Sequence, residues 1–183
     1  MNNIKKCLSI IDNVQADGLI LTNESNMHYL CGFSPSEGMV VVFKNGDAYH
    51  LVDSRYTETA QQHSKDTGLK VIEIQSRFMD EVADLVCEHN ANTMAFEGDT
   101  ISLKYDALND TMEDVFFVSI GNALMRERNK KEPEEIVLMK KANAIAEKAF
   151  LELLNHIQPG KTEKELAAYF DYLMAKEGSD GVS

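Results

Sequence analysis

Apolar residues along the chain follow two spacings, one typical of helices and the other typical of strands. The first segment has helical spacing, with apolar positions at Ile4, Cys7, Leu8 and Ile11. Short apolar runs then recur, and segments with helical spacing separate most of them. The predicted strands are residues 18–22, 39–43, 48–52, 69–74, 93–96 and 115–118.

Two of these strands are predicted to form a hairpin. They flank the sequence Lys44-Asn45-Gly46-Asp47, and Asn-Gly between apolar β-formers is a strong hairpin signal. The other strands alternate with helices. The pattern therefore predicts an α/β domain with a mixed sheet of about six strands flanked by helices.

The chain changes character near residue 122. Residues 1–121 hold 8 basic and 19 acidic side chains, whereas residues 122–183 hold 10 and 11. We therefore predict a first domain at 1–121, a charged linker at 122–132, and the start of a second domain at 133–183. Pro133 and the Thr162–Glu165 capping box begin two helices there, and their wide apolar faces lead us to expect that this second domain is incomplete.

Composition excludes several classes of protein. Apolar residues make up 44% and charged residues 26%, as in an ordinary globular protein, and the net charge of −12 disfavours nucleic-acid binding. No apolar run approaches the roughly 18 residues of a membrane span, and the N-terminus lacks a signal-peptide pattern. Three cysteines without paired spacing favour reduced thiols, so we expect a cytoplasmic protein.

Catalytic motifs are absent from the sequence. The five histidines have no compact ligand spacing, and no phosphate-binding glycine loop or nucleophile elbow is present. Cys31 and Cys87 are interpreted as small core residues. Asp53 is interpreted as a helix cap with an ion-pairing Arg55. Glu97 is either a site carboxylate or, as we favour, a residue that pairs with a basic side chain or caps the next turn.

Four stretches together resemble one family, the prolidases and aminopeptidases P. Asn26-Met-His-Tyr-Leu-Cys-Gly-Phe33 resembles the N-x-x-Y-L-[ST]-G-F stretch of the family's N-terminal domain, with His28 for the usual Arg and Cys31 for Ser or Thr. Asp53-Ser-Arg-Tyr56 resembles its D-x-R-Y. The remaining two stretches are a connector with Arg126, Lys131 and Glu135-Ile136, and Ile157-Gln-Pro-Gly-Lys-Thr-Glu-Lys-Glu-Leu166, which is similar to the opening of the catalytic "pita-bread" domain.

The resemblance implies a two-domain metallopeptidase that cleaves the bond before proline. In that family two divalent ions, manganese or cobalt, are held by two Asp, one His and two Glu of the catalytic domain, and they activate a bridging water. All five ligands are expected beyond residue 183. The resemblance therefore predicts no catalytic residue and no metal ligand in this chain, and the 183-residue chain is expected to be inactive alone.

A second class of function stays open. The same N-terminal domain occurs in proteins that are not peptidases, namely a histone-chaperone subunit and creatine amidinohydrolase. The chain could accordingly be a non-catalytic interaction or dimerisation module.

The loop from Gly32 to Gly38 is the one candidate for substrate contact. It presents Phe33 and Glu37 beside a proline that stiffens it. Family members are commonly dimers, and the resemblance implies that the N-terminal domain of one subunit can approach the catalytic mouth of the other. We therefore hypothesise that this loop limits substrate length across the dimer, with Glu37 placed to meet the free amino group of a peptide. A Phe33 folded back on the core is the structural alternative.

Overall fold

The computed structural model describes residues 3–33, 35–98, 102–179 and 181. The chain divides into two compact units, Met1–Asn129 and Lys130–Ser183. The first unit is an α/β domain. Its elements are α1 (Ile4–Asn13), β1 (Gly18–Leu21), α2 (Glu24–Cys31), β2 (Gly38–Phe43), β3 (Ala48–Val52), α3 (Thr57–Thr67), β4 (Lys70–Glu73), α4 (Phe78–Glu88), β5 (Thr93–Phe96), α5 (Ser102–Thr111), β6 (Phe116–Ser119) and α6 (Ala123–Asn129).

The strands form one mixed sheet in the order β4-β3-β2-β1-β5-β6. β2 is antiparallel to β1 and β3, while the β3–β4, β1–β5 and β5–β6 pairs are parallel. The predicted mixed sheet of about six strands is therefore confirmed. The Asn-Gly hairpin joins β2 to β3, and Gly46 has the positive φ of +94° that such a turn requires.

Helices cover both faces of the sheet. Helices α1, α2 and α6 pack on one face through residues that include Ile11, Leu30 and Leu124. Helices α4 and α5 pack on the opposite face through Val86 and Leu108 among others. Every residue of β1 and β2 is buried, because both strands lie centrally and are covered on both sides.

Two segments differ in detail from the sequence predictions. Asp53 does not cap α3, which begins at Thr57 after Tyr56; its Oδ1 instead accepts the Arg55 backbone N–H at 2.8 Å, closing a turn before the helix. The predicted ion pair with Arg55 is present. The segment 122–132, predicted as a linker, contains α6, and the burial of Leu124 in the core explains why the first unit extends to Asn129.

The second unit contains α7 (Pro133–Leu154) and α8 (Glu163–Lys176). Pro133 occupies the first turn of α7, and Thr162 and Glu165 form the predicted capping box of α8. Ala149 of α7 and Leu173 of α8 are buried, each 1% exposed. Many other apolar side chains of this unit are exposed, including Ile136, Val137, Leu138, Met139, Phe150 and Leu151.

Candidate functional site

The parallel strands β1 and β5 meet at the point where the chain connections diverge. From the carboxyl end of β1 the chain passes into α2 on one face of the sheet, and from that of β5 it passes towards α5 on the other. Such a switch point opens a crevice at the carboxyl ends of the strands, and α/β proteins place ligands there. The topology therefore selects this edge of the sheet as the candidate site.

A buried carboxylate lies at the carboxyl end of β5. Glu97, directly after β5, is 1% exposed. Its Oε2 accepts the backbone N–H groups of Thr22 at 2.6 Å and Asn23 at 2.7 Å, and its Oε1 accepts the Asn26 side-chain amide at 2.5 Å. These groups form the N-terminal end of α2, where the helix dipole favours a negative charge.

For Glu97 the sequence favours a basic partner or a cap on the turn that follows it. In the structure its carboxylate instead accepts hydrogen bonds from Thr22, Asn23 and Asn26, more than 70 residues earlier, and the N-cap residue of α2 is Asn23. The parallel pairing of β1 with β5 brings the two segments together. No local signal in the sequence could have identified this partner.

Asn26 connects the buried carboxylate to a cation. Its Nδ2 donates to Glu97, and its Oδ1 accepts from Arg128 Nη1 at 2.8 Å. Arg128 belongs to α6, and its guanidinium also lies 5.9 Å from the ring centroid of Tyr29. The two hydrogen bonds orient the amide uniquely, so Glu97, Asn26 and Arg128 form a continuous polar network across β5, α2 and α6.

An open cavity of about 300 Å³ lies beside this network. The first turn of α2 forms one wall with Ser25 and Asn26, and the start of α6 forms another with Leu124 and Met125. Arg128 lines it as well. The cavity thus combines a polar wall, an apolar wall and one positive charge.

Two cysteines pack near the site but are poor nucleophiles. Burial, with a smaller contribution from the charge of Glu97, raises the pKa of the Cys7 thiol to about 12. Burial likewise raises the pKa of Cys31 to about 12. Both thiols are neutral near pH 7 and behave as small core residues. The same interpretation is wrong for Cys87, which is exposed on α4.

Phe33 lies against two histidine rings. Its ring centroid is 5.3 Å from that of His50 and 5.2 Å from that of His63. His50 is 2% exposed, and its Nε2 has no hydrogen-bond partner among the described residues. Burial lowers the pKa of His50 to about 4, so the ring is neutral near pH 7. Phe33 therefore folds back and packs against the core, as the alternative for this residue in the sequence analysis expects.

Glu37, by contrast, extends into solvent. Its side chain is 68% exposed, and Oε2 lies 3.8 Å from Nη2 of Arg55. Ser36 in the same loop lies 2.9 Å from the Tyr56 hydroxyl, so the loop contacts the Asp53–Tyr56 turn at two points. Ser34 lies outside the described residues. Phe33 is thus half-buried and Glu37 exposed, and the contact of either residue with substrate stays a prediction.

The described residues contain no cluster of metal-ligating side chains. Within 3–33, 35–98, 102–179 and 181, no three His, Cys, Asp or Glu side chains come together to hold an ion. A dinuclear site does not fit these residues. Nor does any helix in these ranges combine the length and apolarity needed to cross a membrane.

Comparison with solved structures agrees with this architecture. An Xaa-Pro dipeptidase from Bacillus anthracis is 30% identical, covering 96% of this chain and 49% of that one, with a TM-score of 0.86. An X-Pro aminopeptidase from Thermotoga maritima is 30% identical over 99% of this chain and 51% of that one, with a TM-score of 0.87. The fold is therefore that of the N-terminal half of these proteins.

Sequence relatives agree as well. The Xaa-Pro dipeptidase of Pyrococcus furiosus is 28% identical over 97% of this chain and 49% of its own length. The chain spans about half the length of the curated relatives it matches. Residues 137–183 match metallopeptidase family M24, and residues 3–130 match the creatinase/prolidase N-terminal domain. The chain therefore belongs to the creatinase/prolidase family, with its N-terminal domain followed by a segment of the M24 metallopeptidase fold.

Proposed function

We propose that this chain is the N-terminal part of a metal-dependent Xaa-Pro peptidase, which hydrolyses the bond before proline in dipeptides or longer peptides. The observation that carries the proposal is the order of the two matches. An N-terminal creatinase/prolidase domain precedes an M24 segment in this chain, and the chain matches about half the length of relatives that bear Xaa-Pro peptidase names.

In this proposal the chemistry belongs to residues beyond 183. The described residues offer no cluster for the two divalent ions, manganese or cobalt, that the family implies. Such ions would supply a water activated for attack on the peptide carbonyl. The chain itself would supply the N-terminal domain, a dimer contact and the loop bearing Glu37, in a cytoplasmic enzyme.

The decisive experiment compares the 183-residue chain with the complete protein that its gene encodes. Both are purified and assayed with Ala-Pro, Ala-Pro-Ala and the control Ala-Ala, with Mn²⁺, with Co²⁺ and with a chelator. We expect the complete protein alone to cleave, with the two proline peptides preferred and activity lost in the chelator.

Two other results would contradict parts of the proposal. Turnover by the 183-residue chain would contradict the expectation that it is inactive. A folded complete protein that cleaves none of the peptides with either metal would favour the non-catalytic interaction module.

The proposed role of Glu37 has its own test in the complete enzyme. If its carboxylate meets the free amino group of a short peptide bound to the partner subunit, Glu37→Ala should raise KM several-fold and leave kcat nearly unchanged, the pattern of lost uniform binding. Glu88→Ala is the matched control, since Glu88 is an exposed carboxylate on α4, on the opposite face of the sheet. An unchanged KM for dipeptides and tripeptides would make the loop a plain connector.

A further inference from the structure

The cavity at the switch point has a chemical character that the proposed peptidase activity does not use. It lies within the first unit, between the first turn of α2 and the β6–α6 junction. Ser25 and Asn122 contribute neutral polar groups to its lining, and Ile120, Leu124 and Met125 contribute apolar surface. Its volume of about 300 Å³ is at the lower limit of ligand pockets, so it fits a small molecule.

Arg128 supplies the charge. A guanidinium has five N–H donors in a planar fork, and Asn26 accepts from one of its terminal nitrogens, Nη1. The side chain is half-buried and lines the cavity. Its orientation is fixed by the network through Asn26 to Glu97, so its remaining donors are held in place before any ligand arrives.

Glu97 decides which anions the crevice can accept. In dinucleotide-binding proteins a phosphate occupies the backbone N–H groups at the helix that follows the first strand. Here the N–H groups of Thr22 and Asn23 already donate to the Glu97 carboxylate. A nucleotide phosphate therefore cannot use these backbone donors, and an incoming anion would pair with the Arg128 guanidinium instead.

We propose that this cavity binds a small organic carboxylate, with the carboxylate on the Arg128 fork and an apolar body against Ile120, Leu124 and Met125. The planar guanidinium matches a carboxylate in a bidentate pair. The apolar wall adds affinity for a compact aliphatic or cyclic body, which a bare inorganic anion lacks.

The test is a ligand titration of the isotope-labelled 183-residue chain, followed by NMR at the backbone amides of Gly121 and Asn122. Three probes separate the two halves of the proposal: cyclopentanecarboxylate has the charge and the body, cyclopentanecarboxamide has only the body, and acetate has only the charge. We expect saturable shifts with the first probe and at least about tenfold weaker binding of the other two. Absence of saturable shifts, or equal binding of the amide, would overturn the proposal.

Variants locate the site. Arg128→Gln should weaken cyclopentanecarboxylate binding by at least about tenfold, whereas Arg126→Gln, an exposed residue of the same helix that does not line the cavity, should leave it unchanged. Because Arg128→Gln also removes the bond to Asn26, a second variant is needed. Ser25→Phe adds a bulky ring to the cavity wall and changes no member of the network, so it should abolish binding while the melting temperature stays near wild type. Wild-type binding by a folded Arg128→Gln or Ser25→Phe protein would place the ligand elsewhere.

Discussion

Two carboxylates join the same pair of parallel strands, one at each end. Asp17 lies just before β1, and its Oδ2 accepts the backbone N–H groups of Asn92 at 2.9 Å and Thr93 at 3.0 Å, at the start of β5. Glu97 lies just after β5 and accepts two backbone N–H groups just after β1. A carboxylate next to each strand thus binds backbone N–H groups next to the other strand. The two sets of hydrogen bonds lie at opposite ends of the β1–β5 pair.

The surroundings of the two groups differ. The Asp17 side chain is 21% exposed and is paired with Lys44, a residue 61% exposed, and this pairing, with the two backbone donors, lowers the pKa of Asp17 below its usual value of 3.8. Glu97 is 1% exposed, and its third donor is the neutral amide of Asn26. The cation Arg128 stands one hydrogen bond further away.

This difference predicts that Asp17 and Glu97 contribute unequally to the free energy of unfolding. Solvent can replace a lost partner of Asp17, and the attraction between Asp17 and Lys44 is screened. Around Glu97, water has little access, so a donor left without the carboxylate loses its hydrogen bond outright. The same hydrogen-bond pattern is therefore expected to contribute modestly to stability around Asp17 and strongly around Glu97.

The largest expected effect is that of Glu97→Gln. The substituted amide can accept only through one oxygen, and its NH₂ group opposes either the backbone donors or the Asn26 amide. We expect a loss of about 3 kcal/mol in the free energy of unfolding, measured by urea denaturation. Glu113→Gln, at an exposed turn position, is the control. A loss no larger than that of the control would remove the contrast between Asp17 and Glu97.

Next in size is Asn26→Leu, which removes the amide between Glu97 and Arg128. A loss of about 2 kcal/mol is expected, because one carboxylate oxygen loses its donor and Arg128 loses its acceptor. Combined with Arg128→Gln, the two losses should sum to more than the double variant shows, by about 1 kcal/mol. Strict additivity would show that Arg128 is not coupled to the network.

A smaller effect is expected for Asp17→Asn. The side-chain oxygen can still accept from Asn92 and Thr93, while the ion pair with Lys44 is lost. The expected loss is about 1 kcal/mol, since a partly exposed pair contributes little. Asp84→Asn, an exposed change on α4, serves as the reference. A loss equal to that of Glu97→Gln would mean that burial does not determine how much each carboxylate contributes to stability.

The smallest effect is the pH dependence of that difference. The pKa of Asp17 is lower in the folded than in the unfolded chain, so its contribution is present above 3.8 and is lost as the pH falls through the folded value. The stability gap between wild type and Asp17→Asn should therefore close as the pH falls below 3.8 and through the lowered pKa of Asp17 in the folded chain. A gap that widens on acidification would contradict the Lys44 pairing.

Local features of the fold were predictable because their causes are local. The apolar runs and the Asn45-Gly46 turn predicted the strands and the hairpin, and Thr162 with Glu165 predicted the start of α8. Each depends on side chains within a few residues of one another, where spacing in the sequence equals spacing in the element. Short motifs likewise indicated membership of the family.

Tertiary structure alone decided the candidate site. Glu97 looked like a cap for its own next turn, yet its donors lie at Thr22, Asn23 and Asn26, and Arg128 completes the network from α6. Only the placement of β1 beside β5 in the sheet brings these segments together. Sequence determines a strand through its periodicity, but the neighbour of a strand depends on packing across the whole domain, and so do the partners of a buried charge.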